Sequence, residues 1–243
     1  MNPPVPLDFL RRPPGDGWLA LLGGGEFSFG ETLEADDAWL ARAGEGPVGF
    51  VPAASGSVDY GHHFADYLEG EHDRVCEVIP IYRARDGRRG RNAERIRECA
   101  AVYLGGGVAD HLLEAVEGSP ANEALLDRLR SGGVVVAIAA AAQAVGLVAR
   151  SIKVGRVVPG LGWLPDGVVE PNFDPAHDRR LRQLLAQPGV AWGLGLPAGS
   201  AVLLGPDAAV ELVGTAFALT GAEEDLLVLN PPSEDRAAAP AGD

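Results

Sequence analysis

Apolar residues in this chain fall into short runs that alternate with segments where apolar positions recur every three or four residues. The runs predict buried strands at 18–22, 48–51, 75–81, 101–104 and 134–138. The intervening segments predict helices at 31–42, 57–69, 92–99, 108–116, 122–130 and 140–149. This alternation is typical of an α/β fold: a three-layer, mostly parallel sheet with helices on both faces.

The last third of the chain contains shorter predicted elements. They are one helix near 178–186 and strands near 191–196, 200–204, 209–213, 215–219 and 226–229. Because no repeat or interdomain linker interrupts the pattern, residues 17–230 are expected to form a single domain. Residues 1–16 are expected to be a flexible N-terminal segment, and residues 231–243, rich in Pro, Ala and acidic side chains, a disordered tail.

Composition and charge indicate where the protein is located and which partners are excluded. The longest apolar run, 134–148, contains Gln143 and Gly146, so no membrane span is predicted. The N-terminus has no apolar signal core, and the two cysteines, Cys76 and Cys99, suit a reducing compartment, so we expect a cytoplasmic location. The formal net charge of −14 argues against nucleic acid or an anionic membrane as the partner.

One basic cluster departs from this acidic balance. Its members are Arg83, Arg85, Arg88, Arg89 and Arg91. The sequence favours a solvated loop here, and a docking patch for an acidic ligand or subunit remains the alternative.

Ligands of parallel sheets gather at the carboxyl ends of the strands, which makes the glycine-rich loops candidates for a site. The loop at 23–26 is a poor dinucleotide motif, because Ser28 stands where a third glycine is needed and no acidic residue follows the second strand at Pro52. No cofactor is therefore predicted. Gly105, Gly106 and Gly107 form a second loop, whose N–H groups suit an oxyanion or simply a tight turn.

The strand at 134–138 enters a helix in the manner of a nucleophile elbow. Such a turn needs a nucleophile at its tip and small residues two positions to either side. Here the tip is Ala139, flanked by Ala137 and Ala141, so the small sizes are present and the nucleophile is not.

In order and spacing, several motifs resemble those of the cyanophycinase and dipeptidase E family of serine peptidases, which has the class I glutamine amidotransferase-like fold. The matching stretches are 23–26 for GGGE, 51–55 for P-x-A-S, 103–108 for F-x-G-G-D/N-Q, 160–165 for G-L-G-L-L and 193–201 for G-I-G-I-D-E-G-T-A. The resemblance covers most of residues 18–220. It implies the fold of a serine-type peptidase and suggests a homodimer.

The chain departs from this family at the positions that would carry catalysis. Ala139 replaces the serine of G-T-S-A-G-A, Asn172 the histidine of D-x-H-F, and Ala198 an acidic residue of G-I-D-E-G. Pro197 replaces the other acidic residue, and Gly107 and Val108 replace a polar pair. Acyl transfer needs a nucleophile and a base within hydrogen-bond reach. The first hypothesis is therefore a catalytically degenerate, non-hydrolytic homologue that binds a ligand or partner.

The ligand pocket predicted for this homologue takes in both the glycine loop and the elbow, and its ligand is expected to be a small molecule or peptide. Its residues are Gly105, Gly106, Gly107, Ala139, Ala140 and Asn172.

Two alternatives stay open. One is an active hydrolase of the same family with a relocated site, in which Ser55 or Ser200 works with His177. The other is a small-molecule binding module that uses the pocket above the glycine loop. His62 and His63 are adjacent on a predicted helix and point in different directions, and no zinc-ligand spacing occurs, so no metal site is predicted.

Overall fold

A computed structural model describes residues 7–221 and 225–231. The strands in this part of the chain are β1 (Trp18–Leu22), β2 (Val48–Val51), β3 (Cys76–Val78), β4 (Ala101–Leu104), β5 (Val134–Ile138), β6 (Val148–Arg150), β7 (Val157–Pro159), β8 (Gly167–Pro171), β9 (Trp192–Leu196), β10 (Ala201–Leu204), β11 (Val210–Val213), β12 (Ala216–Thr220) and β13 (Leu227–Leu229). The α-helices are α1 (Leu33–Leu40), α2 (Val58–His72), α3 (Ala84–Gly87), α4 (Gly90–Glu98), α5 (Ala109–Val116), α6 (Pro120–Arg130), α7 (Ala140–Ala144) and α8 (Arg179–Leu185).

Seven strands form the main sheet, in the order β11-β10-β1-β5-β4-β2-β3. The five strands from β1 to β3 in this order are parallel, and β10 and β11 form an antiparallel edge beside β1. A second sheet has the order β13-β12-β9-β8, and β6 and β7 form a separate hairpin. The predicted α/β class with a mostly parallel sheet is confirmed.

Successive side chains of each central strand point to opposite faces of the sheet, and both faces are covered by helices. In β1, Leu19 and Leu21 pack with helices α4 to α7, whereas Ala20 and Leu22 pack with α1 and α2 on the other face. Because both faces are buried, the central strands are continuously apolar rather than alternating with polar residues. This burial is what made them recognisable from the sequence.

The helix predicted for 140–149 is wrong beyond Ala144. The carbonyl groups of residues 144–146, which a longer helix would use, instead accept hydrogen bonds from N–H groups of residues 161–164. Gly160 fits beneath this turn because it has no Cβ, which would lie 2.2 Å from the Gly146 oxygen. The chain therefore leaves the helix after one turn and forms the β6–β7 hairpin and then β8, three strands that the pattern did not predict.

Residues 7–16 lie in the segment that was expected to be flexible, and they pack against the domain. Leu10 is buried, and the Arg12 guanidinium donates hydrogen bonds to the carbonyl oxygens of Gly205 and Gly15, each at 2.7 Å. Residues 1–6 and, apart from Pro231, the expected tail lie outside the described residues. None of the described helices combines the length and apolar character that crossing a membrane requires.

Candidate active site

The turn between β5 and α7 has the backbone of a nucleophile elbow. Ala139 lies at its tip with φ 51° and ψ −114°, a combination that alanine rarely adopts. The turn is held by two hydrogen bonds: Ala139 N–H donates to the Leu22 carbonyl at 3.0 Å, and Gln143 N–H donates to the Ala139 carbonyl at 3.1 Å. The side chain presented at this strained position is a methyl group.

Close packing around the elbow accounts for the small residues of the sequence motif. Ala137 and Ala141 are completely buried. Gly106 faces the tip, since a Cβ there would lie 3.6 Å from the Ala139 Cβ. Gly105 faces the core instead: a Cβ there would lie 2.6 Å from the Phe50 ring, so Gly105 is not exposed at the elbow tip.

A cavity of about 240 Å³ opens above the elbow, and we call it the elbow cavity. Four of the six residues predicted for a ligand pocket line it: Gly107, Ala139, Ala140 and Asn172. Its lining also includes polar and charged residues that the sequence did not single out as site residues: Asp110, Gln143, Arg150 and Arg180.

Asn172 occupies the position just beyond the carboxyl end of β8. Its backbone is left-handed, with φ 48°, which asparagine tolerates better than most residues. Its N–H donates to the Gly23 carbonyl at 2.8 Å, and its Oδ1 lies 2.3 Å from where a Cβ on Gly24 would be. The first glycine loop is therefore required for close packing against Asn172.

A buried network forms one wall of the elbow cavity. The Arg150 guanidinium donates to both carboxylate oxygens of Glu170, with the shortest contact at 2.7 Å. The Gln143 side chain links the two residues: its amide nitrogen donates to the Glu170 carboxylate at 3.3 Å, and its oxygen accepts from the backbone N–H of Arg150 at 3.1 Å. Burial raises the pKa of Glu170, although the charge and hydrogen bonds of Arg150 and the charge of Arg180 oppose that shift.

Asp110, in the first turn of α5, also lines the elbow cavity. Its carboxylate accepts hydrogen bonds from the Ser151 hydroxyl and, at 3.0 Å, from the Ile152 N–H. Burial acts to raise the pKa of Asp110, but the hydrogen bonds from Ser151 and the backbone of 152–153 outweigh it, and the pKa is lowered. Asp110 is therefore an anion that fixes the segment at 151–154.

None of the described residues that line the elbow cavity carries a hydroxyl, thiol or imidazole group. The proposed substitutes are engaged elsewhere. The hydroxyl of Ser55 donates to the Pro52 carbonyl at 3.1 Å, and that of buried Ser200 donates to the Pro197 carbonyl at 2.8 Å. His177 is exposed and pairs with Asp174 at 2.7 Å.

The remaining predicted positions also lie apart from the elbow cavity. Ala198 is exposed in the turn that follows β9. His63 lines a separate groove beside Phe27 and Tyr67. Within residues 7–221 and 225–231, no group of three or more His, Cys, Asp or Glu side chains is arranged to hold a metal ion.

Comparison with known proteins relates the chain and its fold to peptidases. The model of peptidase family S51 matches residues 19–212. The structure is similar to that of a peptidase from an acI-B1 Actinobacterium, with a TM-score of 0.71, 18% identity, and coverage of 90% of this chain and 98% of that one. It is also similar to a candidate peptidase E protein from Listeria monocytogenes EGD-e, with a TM-score of 0.56, 12% identity, and coverage of 90% and 100%. At such identities the two structures show a shared fold alone, and the search of curated proteins found no match.

Proposed function

The chain belongs to peptidase family S51, and we propose that it binds a small carboxylate-bearing molecule or peptide in the elbow cavity without hydrolysing it. The observation that carries the proposal is a methyl group at the tip of a strained elbow, in a cavity whose described lining lacks any nucleophile or imidazole. Covalent acyl transfer requires both groups, and loss of either alone costs several orders of magnitude in rate.

The carboxylate class follows from hydrogen-bond donors that are left free. Within the described chain, the N–H groups of Gly107 and Ala140 have no acceptor, the latter because it opens α7. The Nη1 of Arg150 and the guanidinium of Arg180 also make no hydrogen bond or ion pair with a described residue. Donors of this kind favour an acceptor with negative charge, and a carboxylate can take two of them at once.

The strain at Ala139 supports a retained role for the cavity. A non-glycine residue in such a conformation costs about 1–3 kcal/mol, and such residues cluster at ligand and catalytic sites. Without a nucleophile to present, the remaining use of the elbow is the geometry of its backbone N–H groups.

The absence of hydrolysis is tested with isoaspartyl dipeptides and cyanophycin as substrates. We expect no cleavage by the purified protein, and none by Ala139→Ser, because that variant gains a hydroxyl without gaining a base. Cleavage by either protein that persists through further purification would contradict the proposal. Labelling of the wild-type protein by a fluorophosphonate would indicate the relocated hydrolase instead.

Binding is tested separately by thermal unfolding in the presence of aspartyl dipeptides. A ligand that binds the native state raises the melting temperature by mass action. The rise should shrink in Arg180→Gln and persist in Arg179→Gln, because Arg179 is also exposed but does not line the elbow cavity. Equal shifts in both variants would place the ligand elsewhere.

A further inference from the structure

A second and larger depression, of about 810 Å³, lies beside the elbow cavity. The first turns of α5 separate the two: Asp110 lines the elbow cavity, whereas His111 and Glu114 face the larger space. Arg83 and Arg85, from the basic cluster of the sequence, form its other wall. We call this space the arginine groove.

The arginine groove carries a small excess of positive charge within an acidic protein. It contains three cations, Arg83, Arg85 and Lys153, and two carboxylates, Asp86 and Glu114, in a chain of net charge −14. The Arg83 side chain is exposed and makes no hydrogen bond or ion pair with any residue of the described chain. Arg85 approaches Asp86 only to 3.7 Å, and its side chain is 70% exposed. Two guanidinium groups are thus available to a ligand.

Hydrogen bonds and an ion pair fix the backbone on both sides of the arginine groove. Buried Asp86 accepts a hydrogen bond from the Tyr82 N–H at 3.3 Å, and its carbonyl accepts one from the Asn92 side chain at 2.9 Å. On the other side, Asp110 fixes the segment at 151–154, and Lys153 pairs with Glu114 at 2.5 Å. Cations on fixed backbone lose less conformational freedom when a ligand binds.

From this arrangement we propose that the arginine groove is a binding site for an acidic peptide segment. The volume lies within the ~300–1,000 Å³ of sites for small ligands, which fits a short segment. Apolar surface from Tyr82 and half-exposed Val58 adjoins the cations and suits a peptide backbone between carboxylates. The net charge of −14 repels a long polyanion such as nucleic acid. The site is distinct from the elbow cavity and does not rest on its function.

The test measures binding of fluorescein-labelled hexaglutamate by anisotropy at low and at physiological salt. We expect binding that weakens with salt, because the attraction is electrostatic. Arg83→Glu should weaken it roughly tenfold at low salt, because a nearby attraction becomes a repulsion. Arg91→Glu is the matched control: it makes the same charge change in the same cluster, outside the groove lining, and should alter affinity less than about twofold.

Further variants keep the outcome decisive. Lys153→Gln, on the opposite wall, should also weaken binding, which provides a second variant if Arg83→Glu fails to fold. Arg179→Gln, at an exposed residue that lines neither the arginine groove nor the elbow cavity, should leave hexaglutamate affinity unchanged. Absence of hexaglutamate binding, an equal loss in Arg91→Glu, a comparable loss in Arg179→Gln, or tighter binding of hexathymidylate would each overturn the proposal.

Discussion

Ala139 has backbone dihedral angles that suit glycine better than alanine. Replacing it by glycine removes a strain of about 1–3 kcal/mol, while the added freedom of the unfolded chain costs about 0.5–1 kcal/mol. We therefore expect Ala139→Gly to leave the free energy of unfolding unchanged or to raise it. Urea denaturation of the purified variant measures this directly.

Ala141→Gly is the control for Ala139→Gly. It is completely buried inside α7, so Ala141→Gly should lower the free energy of unfolding by about 1 kcal/mol or more. If Ala139→Gly proves as destabilising as Ala141→Gly, the backbone at the elbow tip is not strained in solution.

Individual residues also show how far the site could be predicted from the sequence. Ala139 follows a strand that is recognisable by its apolar run, and Asn172 lies in a stretch that resembles a family motif. The family resemblance therefore predicted that both residues belong to one pocket. The contact between Arg150 and Glu170 could not be predicted, because Arg150 follows a segment assigned to a helix and β8 was not assigned at all. The one available signal was the position of Glu170, two residues before Asn172.

Among the elements, the parallel strands were predictable and the connection from α7 to β8 was not. Burial on both faces gives central strands an apolar signal that needs no knowledge of their neighbours. Helix α7, in contrast, ends because segment 161–164 donates to its last carbonyl groups. These hydrogen bonds come from residues distant in the chain and replace the ones that would continue the helix. The local pattern, which is rich in alanine, could not reveal them and indicated a longer helix.

Helix α5 is joined to the segment at 151–154 through Asp110, whose carboxylate accepts hydrogen bonds from Ser151 and Ile152. Hydrogen bonds to a charged group contribute more than neutral ones, so Asp110→Asn should lower the free energy of unfolding at neutral pH by about 2 kcal/mol. Because this segment holds Lys153, the variant should also weaken hexaglutamate binding. Chemical denaturation and anisotropy measure the two effects.

The loss of unfolding free energy in Asp110→Asn should depend on pH in a definite direction. The pKa of Asp110 is lowered in the folded state, so its stabilising contribution is present above the pKa of the unfolded chain, near 3.8. The contribution disappears as the pH falls through the lowered folded-state pKa. The stability difference between wild type and Asp110→Asn should therefore be constant near neutrality and shrink in acid; a difference that grows in acid would contradict the ionised state assigned to Asp110.

Across the whole molecule, two separate sheets and helix α7 meet at the Arg150–Glu170 pair. Arg150 belongs to the β6–β7 hairpin, Glu170 to β8 of the second sheet, and Gln143 to the helix that follows the main sheet at the elbow. The elbow cavity lies at this junction. Its shape consequently depends on how the sheets are held together as well as on the elbow itself.

Removing one partner of this pair tests the junction. Arg150→Met removes the ion-pair partner of the buried Glu170 carboxylate and leaves only the charge of Arg180, which makes no ion pair with it, so the free energy of unfolding at neutral pH should fall by about 3 kcal/mol. Adding Glu170→Gln removes the uncompensated charge, so the double variant should recover much of the loss. Denaturation of wild type, both single variants and the double variant gives the coupling energy between the two side chains.

The same variants should also differ in how their stability depends on pH. In Arg150→Met, burial still raises the pKa of Glu170 and the largest opposing influence is gone, so the carboxyl binds a proton more readily in the folded than in the unfolded chain. A raised folded-state pKa means that stability is lost as the pH rises through that pKa and regained as the pH falls. The deficit of Arg150→Met relative to the double variant should therefore shrink on acidification from neutrality. A deficit that is independent of pH would mean that the variant loses packing rather than a counter-charge, and the junction would then be held by shape alone.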